Sequence, residues 1–274
     1  MTDRSDWEGR VGQKWASEWR RTDRSFSGLT DRLLARAGAH PIQRAVDVGC
    51  GAGEVSLALA RAHPDARIIG LDISEALIGA ARQRGAELDN VTFLVADAGD
   101  WRGSQFAPDL VVSRHGVMFF PDPVAAFANL AQGAAANTRL VFSCFRDRTE
   151  NPWATRVASL LPPHMQPEID PDAPGPFAFA DRDRVEGILT AAGWSEVAFE
   201  AVDFAYVAGA GEDALADARS FFLSIGPAAA VAATLDDAAR AAFVARLDAY
   251  LAASLQDQLV ALSGAAWIVS ARSR

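Results

Sequence analysis

Residues 45–60 read AVDVGCGAGEVSLALA: a short apolar run bearing one acid, then three glycines on alternate positions, then a helix-compatible segment. A strand, a bare turn and a helix start, in that order, bring backbone N–H groups to a ligand at the carboxyl edge of a parallel sheet. Spacing narrows the ligand. A dinucleotide turn would carry its third glycine three positions after the second, where this chain has Glu54, an acid that would repel a pyrophosphate. A triphosphate loop needs Lys followed by Ser or Thr, and no such pair follows Gly53.

Downstream, short apolar runs alternate with amphipathic segments. RAVDV, RIIGL (67–71), VTFLV (91–95), DLVVS (109–113) and RLVFSCF (139–145) read as strands, and the segments after Glu54, at 74–88 and near 123–132 read as helices. Such βαβ units predict an α/β, doubly wound, Rossmann-like sheet, mostly parallel and buried on both faces. Beyond Phe145 the chain is rich in proline to about residue 180, with a short helix expected at 153–161. A helix at 181–194, a strand at 196–206, a helical stretch over 212–262 and a strand at 265–271 are expected to follow. The whole reads as one domain of seven strands with an antiparallel last strand. Residues 1–43 form an N-terminal helical cap, 44–146 the ligand-binding core, 147–180 and 208–263 lid insertions, and 181–207 with 264–274 the completion of the sheet. In the cap, Trp7, Val11, Trp15 and Trp19 recur every four residues and make one aromatic face, either packed on the core or folded over a ligand as a flap.

Half of the 274 residues are hydrophobic, enough for a sizeable core, and the formal charge is -9. That charge, without a basic stripe, argues against nucleic acid or an anionic membrane as partner. Cys50 and Cys144 are the two cysteines and are not spaced as a pair, so neither a disulfide framework nor a cysteine zinc site is expected, and no other spacing suggests a metal. The polar N-terminus and the lack of a long apolar run point to a cytoplasmic protein, of unspecified oligomeric state.

DVGCGAGE resembles the glycine loop of class I S-adenosylmethionine-dependent methyltransferases, whose pattern of an acid two residues before GxGxG is matched by Asp47, Gly49, Gly51 and Gly53. The resemblance implies that S-adenosyl-L-methionine is the cofactor and S-adenosyl-L-homocysteine the product. The cofactor's methionyl end carries an amine and a carboxylate, so the loop approaches closely while Asp47 accepts from loop amides or from the amine. Asp72, with Ile73 after it, ends the second strand where a carboxylate receives ribose hydroxyls. Asp97, backed by Ala98, matches the family's adenine contact, with Asp100 as a competitor. SRHGVMFFPDP after the fourth strand, ENPW at 150–153, the Trp-bearing helix and AWIVSAR resemble the ubiquinone/menaquinone-type branch of small-molecule methyltransferases, and Trp15 is placed at the cofactor. Arg114 pairs either with the cofactor's carboxylate or with Asp47 or Asp97.

Methyl transfer is an in-line displacement, promoted by alignment and exclusion of water, and a base helps only where the nucleophile is a hydroxyl. His115 stands next to the cofactor edge and is the candidate base or orienter. His40 and His63 lie in connecting segments, and His164 is in the proline-rich insertion. Met118, Phe119, Phe120, Trp153 and His164 are the candidate substrate pocket, with Phe177, Phe179, Phe221 and Phe222 as further aromatics. The expected activity is methylation of a small apolar or aromatic molecule. The alternatives are a protein that binds the cofactor or its product without turnover, and a methyltransferase acting on a protein or RNA.

Overall fold

The structure is a computed structural model that describes residues 4–166, 170 and 173–273. Part of the proline-rich stretch, 167–169 and 171–172, lies outside the described residues. The chain runs α1 (Arg4–Glu8), α2 (Arg10–Ser17), α3 (Trp19–Ala37), β1 (Arg44–Val48), α4 (Glu54–Ala62), β2 (Arg67–Asp72), α5 (Glu75–Arg84), β3 (Val91–Val95), β4 (Leu110–Arg114), α6 (Pro123–Gly133) and β5 (Arg139–Phe145). It continues through α7 (Pro152–Ser159), α8 (Arg182–Ala191), β6 (Trp194–Ala210), α9 (Ala214–Ser224), α10 (Pro227–Ala232), α11 (Asp237–Ala252), β7 (Leu255–Gln256) and β8 (Leu259–Ser273).

Seven strands form one twisted sheet in the order β3-β2-β1-β4-β5-β8-β6, and the two-residue β7 pairs with β8. β1 to β5 are parallel, and β8 runs antiparallel to both β5 and β6. This is the Rossmann-like α/β architecture expected from the alternating pattern. Every residue of β5 and all but the first of β1 are buried, which requires cover on both faces. α3 packs on β4, β5 and β6 and touches α4, while α6 packs against α8. Where a helix begins, a short polar residue supplies the missing acceptor: Ser74 caps α5, and Asp122 caps α6 just before Pro123.

Two expectations need correction. Residues 253–262 form a turn, β7, a second turn at Asp257 (φ +52°) and the start of β8, not a helix, and α11 stops at Ala252. The Leu- and Ala-rich composition there satisfies helical and strand periods alike, and hydrogen bonding to β6 decides it. The N-terminal aromatic stripe, whose four-residue spacing predicts a single helix over the first thirty residues, is carried by three helices broken near Gly9 and Glu18.

β6 and β8 are much longer than the parallel strands, so they overhang the sheet as a two-stranded ribbon. The first part of β8 pairs with β6 and β7, not β5. Asn151 fastens the insertion to this ribbon. Fully buried, it donates through Nδ2 to Asp147 O (3.1 Å) and Ala265 O (3.1 Å), and its Oδ1 accepts from Ala265 N (2.9 Å) and Trp153 Nε1 (3.0 Å). Asn151→Ala would leave several buried groups unsatisfied, and we expect it to lower unfolding free energy by about 3 kcal/mol. Urea unfolding checks this, and a loss below about 1 kcal/mol would contradict the role.

Candidate functional site

At the carboxyl ends of β1 to β4 the glycine loop opens onto a cavity of about 540 Å³. Gly49, Gly51 and Gly53 all have positive φ (64°, 54° and 88°), a region that disfavours side chains. A Cβ on Gly49 would lie 2.7 Å from Gly116 Cα, whereas one on Gly51 would meet nothing within 4 Å. The first glycine therefore serves packing against the turn after β4, and the second leaves open space. Cys50 N donates to Leu71 O (2.9 Å), tying the loop to β2.

Asp47 is buried beneath the loop. Its Oδ2 accepts from Ser56 N (3.0 Å) and Ser56 Oγ (2.6 Å), but its Oδ1 has no hydrogen-bond partner. Burial raises the carboxyl to about 6, against the opposing Ser56 hydrogen bonds and the charge of Arg114. Asp72 accepts from Gly51 N and Ser74 N, each at 2.9 Å, so it shapes the loop while each oxygen keeps acceptor capacity. Burial pushes its pKa up too, opposed by backbone N–H donors. Asp97 Oδ1 accepts from Gly99 N (2.8 Å), and Asn129 holds the same turn through Ala98 O and Trp101 O.

Asp47, Asp72, Ile73, Asp97, Ala98, Gly49 and Gly51, but not Gly53, line the cavity. So do Trp15, Arg114, His115, Met118, Phe119, Phe120 and Trp153. Asp100 is not part of the wall. His164 is not either: it is exposed on a single turn at Pro163–Met165, away from the cavity. Of the further aromatics, Phe222 is a wall residue, while Phe179 and Phe221 are core. Trp7, Trp15, Trp19 and Phe26 of the cap line the cavity as well, while Leu29 and Leu33 of α3 belong to the core. Trp7 Nε1 is buried without a partner, and its ring meets Trp15 and Phe119 at 5.7 and 5.2 Å.

Arg114 pairs with neither Asp47 nor Asp97. Its guanidinium reaches Asp23 Oδ1 (3.2 Å) and Thr30 Oγ1 (2.8 Å) on α3. Asp23, not anticipated from sequence, also meets Arg84 (2.8 Å), and burial together with the neighbouring Glu54 raises its carboxyl to about 6. It follows Trp15 and Trp19 at the same four-residue spacing, so the aromatic stripe continues into it. Arg84 likewise went unsignalled: it bonds Ala52 O (2.7 Å) and Glu54 (2.8 Å) and lies over the Trp19 ring at 3.7 Å, joining cap to loop.

His115 has φ +64°, a left-handed conformation costing about 1–2 kcal/mol for a side-chain-bearing residue. Its N–H donates to Ser143 O (3.2 Å), its ring stacks on Phe145 at 4.0 Å, and both ring nitrogens lack partners. Burial, then the charge of Arg114, lowers its pKa to about 3. The ring is thus neutral far below the ordinary histidine value. We expect its NMR ring shifts to stay constant from about pH 8 to pH 5, whereas a midpoint near 6.5 would contradict this environment.

An orphaned carboxylate oxygen under a loop of left-handed glycines, with acids at successive strand ends, fits a cationic amine and a ribose. No cluster of three or more His, Cys, Asp or Glu that could hold a metal occurs among the described residues, and no described helix is long and apolar enough to cross a membrane.

Residues 45–135 match the family described as "Methyltransferase domain". The chain is 36% identical over 126 residues to a trans-aconitate 2-methyltransferase of Acidovorax sp. (strain JS42), covering 46% of this chain and 44% of that one. It is 30% identical over 152 residues to a malonyl-[acyl-carrier protein] O-methyltransferase of Anoxybacillus flavithermus, covering 54% and 58%. The matches thus span about half the length of these curated relatives. Among solved structures, the phosphoethanolamine N-methyltransferase 2 of Haemonchus contortus in complex with S-adenosyl-L-methionine superposes with a TM-score of 0.55 at 16% identity, covering 95% of this chain and 57% of that one. That likeness is one of fold.

Proposed function

We propose that this chain, whose residues 45–135 match a methyltransferase domain, is a methyltransferase of the class I S-adenosylmethionine-dependent type that methylates a small apolar or aromatic molecule in the cavity beneath its N-terminal cap. The observation that carries the reading is the conjunction of the left-handed glycine loop with the orphaned Asp47 Oδ1 and the acids Asp72 and Asp97 on the same cavity wall. When bound, S-adenosylmethionine supplies an electrophilic methyl group on a sulfonium sulfur. Asp47 and the loop would hold its amino-acid end, Asp72 its ribose hydroxyls, and Asp97 with Ala98 its adenine.

The chain's remaining task is to orient the acceptor and keep water out. Trp7, Trp15 and Phe26 from the cap, Met118 and Phe119 after β4, Trp153 of α7, Tyr206 of β6 and Phe222 of α9 provide an apolar enclosure. Trp153 and Tyr206 stack at 4.8 Å on that wall. Burial lowers the basicity of His115, which favours orientation over proton removal as its role: a neutral imidazole offers one donor and one acceptor to a substrate hydroxyl or carbonyl.

Charge favours a substrate unlike that of the trans-aconitate relatives. Trans-aconitate carries three carboxylates, whereas among the described wall residues the cation is Arg114, already facing Asp23, and the acids are Asp23, Asp47, Asp72 and Asp97. A polycarboxylate would enter a field of its own sign. The curated matches cover 46% and 54% of this chain, so a different substrate is consistent with them.

Incubating purified protein with methyl-labelled cofactor and panels of phenols, quinones, amines, fatty acids and polycarboxylates tests the reading. Label should pass to an apolar or aromatic acceptor; transfer confined to polycarboxylates would overturn the substrate class. His115→Gln should reduce turnover by about 10- to 100-fold with little change in cofactor affinity. Asp72→Ala should weaken S-adenosylhomocysteine binding by about tenfold or more in calorimetry, and an unchanged affinity would remove the ribose assignment.

A further inference from the structure

Asp23 is held from two sides by arginines of unequal freedom. Arg84 is fully committed: besides Asp23 Oδ2 at 2.8 Å it holds Glu54, the Ala52 carbonyl and the face of Trp19. Arg114 has fewer partners. Its guanidinium belongs to the cavity wall, where it donates to Thr30 Oγ1 (2.8 Å) and, over a longer distance, to Asp23 Oδ1 (3.2 Å), while Asp23 Oδ2 meets Arg84 as an ion pair without a hydrogen bond. It shares the cavity wall with Asp47, Gly49 and Gly51 of the glycine loop.

The next step rests on the cofactor reading given above. With the cofactor's amine at the orphaned Asp47 Oδ1, the carboxylate on the same carbon falls within reach of Arg114's field. We propose that Asp23 is an internal stand-in for the cofactor's carboxylate: it occupies Arg114 in the free protein and yields that guanidinium when a carboxylate-bearing adenosyl ligand binds. The exchange replaces like with like. Arg114 keeps a carboxylate partner, and Asp23 keeps Arg84, so no buried charge is left alone, the condition under which moving an ion pair is tolerable. A ligand without the amino-acid end cannot complete the exchange and gains nothing from Arg114. Asp23 therefore sets how strongly the site prefers S-adenosylmethionine and S-adenosylhomocysteine to shorter adenosyl thioethers, and it lowers the affinity for the first two by competing with them.

Calorimetry on the wild-type protein, Asp23→Asn and Arg114→Gln, each with S-adenosylhomocysteine and with 5′-methylthioadenosine, tests this. Asp23→Asn should bind S-adenosylhomocysteine about tenfold more tightly and 5′-methylthioadenosine within about twofold of wild type. Arg114→Gln should lose affinity for the first ligand and not for the second. An unchanged ratio of the two affinities in Asp23→Asn, whether neither moves or both move together as a loosened cap would make them, overturns the proposal. If Asp23→Asn does not fold, Arg114→Gln decides: a preserved ratio there overturns it as well. Failure of the wild type to bind either ligand would instead sink the cofactor reading itself, an outcome distinct from an unchanged ratio.

Discussion

The backbones of Gly49 and Gly116 lie against each other, and the site's geometry depends on that contact. A Cβ on Gly49 would come within 2.7 Å of Gly116 Cα, and one on Gly116 within 2.5 Å of the Val48 carbonyl oxygen. Ser113 Oγ completes the joint by donating to Val48 O (2.7 Å) and accepting from Gly116 N (3.1 Å). The turns leaving β1 and β4, adjacent strands in the sheet, are thereby locked together without side chains between them. That close approach forms the floor on which Asp47, Asp72, Arg114 and His115 are set, and the residue before Gly116, His115, adopts a left-handed conformation. Strain of this kind persists only where the surroundings impose it, and it is commonest at working sites.

Above the floor the cavity combines two environments. The loop side is acidic and rich in backbone donors, suited to a cation, a ribose and an adenine. The opposite side is aromatic, contributed by segments far apart in sequence: the cap, α7, the β6–β8 ribbon and α9. The overhanging ribbon matters because it carries Tyr206 to the cavity and gives α3 a surface to pack on; Arg24 of α3 donates to Ala208 O (2.8 Å). Burial also explains the chemistry of the ionisable groups. Asp47 and Asp23 are pushed up to about 6 and His115 down to about 3, each toward its neutral form, so the site holds its charges reluctantly and gains from a ligand that compensates them.

The sheet was legible in the sequence because apolar runs of five to seven residues recur between amphipathic helices, and burial on both faces leaves few polar residues inside them. The acids at strand ends were legible for the same reason: each interrupts or terminates an apolar run. What escaped depends on tertiary contact. Arg114 could be placed at the sheet edge, but its partner Asp23 comes from a helix ninety residues away, and only its four-residue spacing after Trp15 and Trp19 marked it. Arg84 looked like an ordinary cation in the last turn of α5, where such residues favour the helix dipole. His164 was misplaced because a proline-rich segment carries no periodicity from which a direction can be read, and the 253–262 segment because alanine and leucine suit helix and strand patterns equally.

The most direct test of the account is a crystal structure of the protein with S-adenosyl-L-homocysteine. The account requires the amino-acid end over Gly49 to Gly53 with its amine at Asp47, the ribose at Asp72 and the thioether sulfur facing the aromatic enclosure near His115. Density for the ligand elsewhere, or a glycine loop that takes a diphosphate compound and not this ligand, would contradict the account at its foundation.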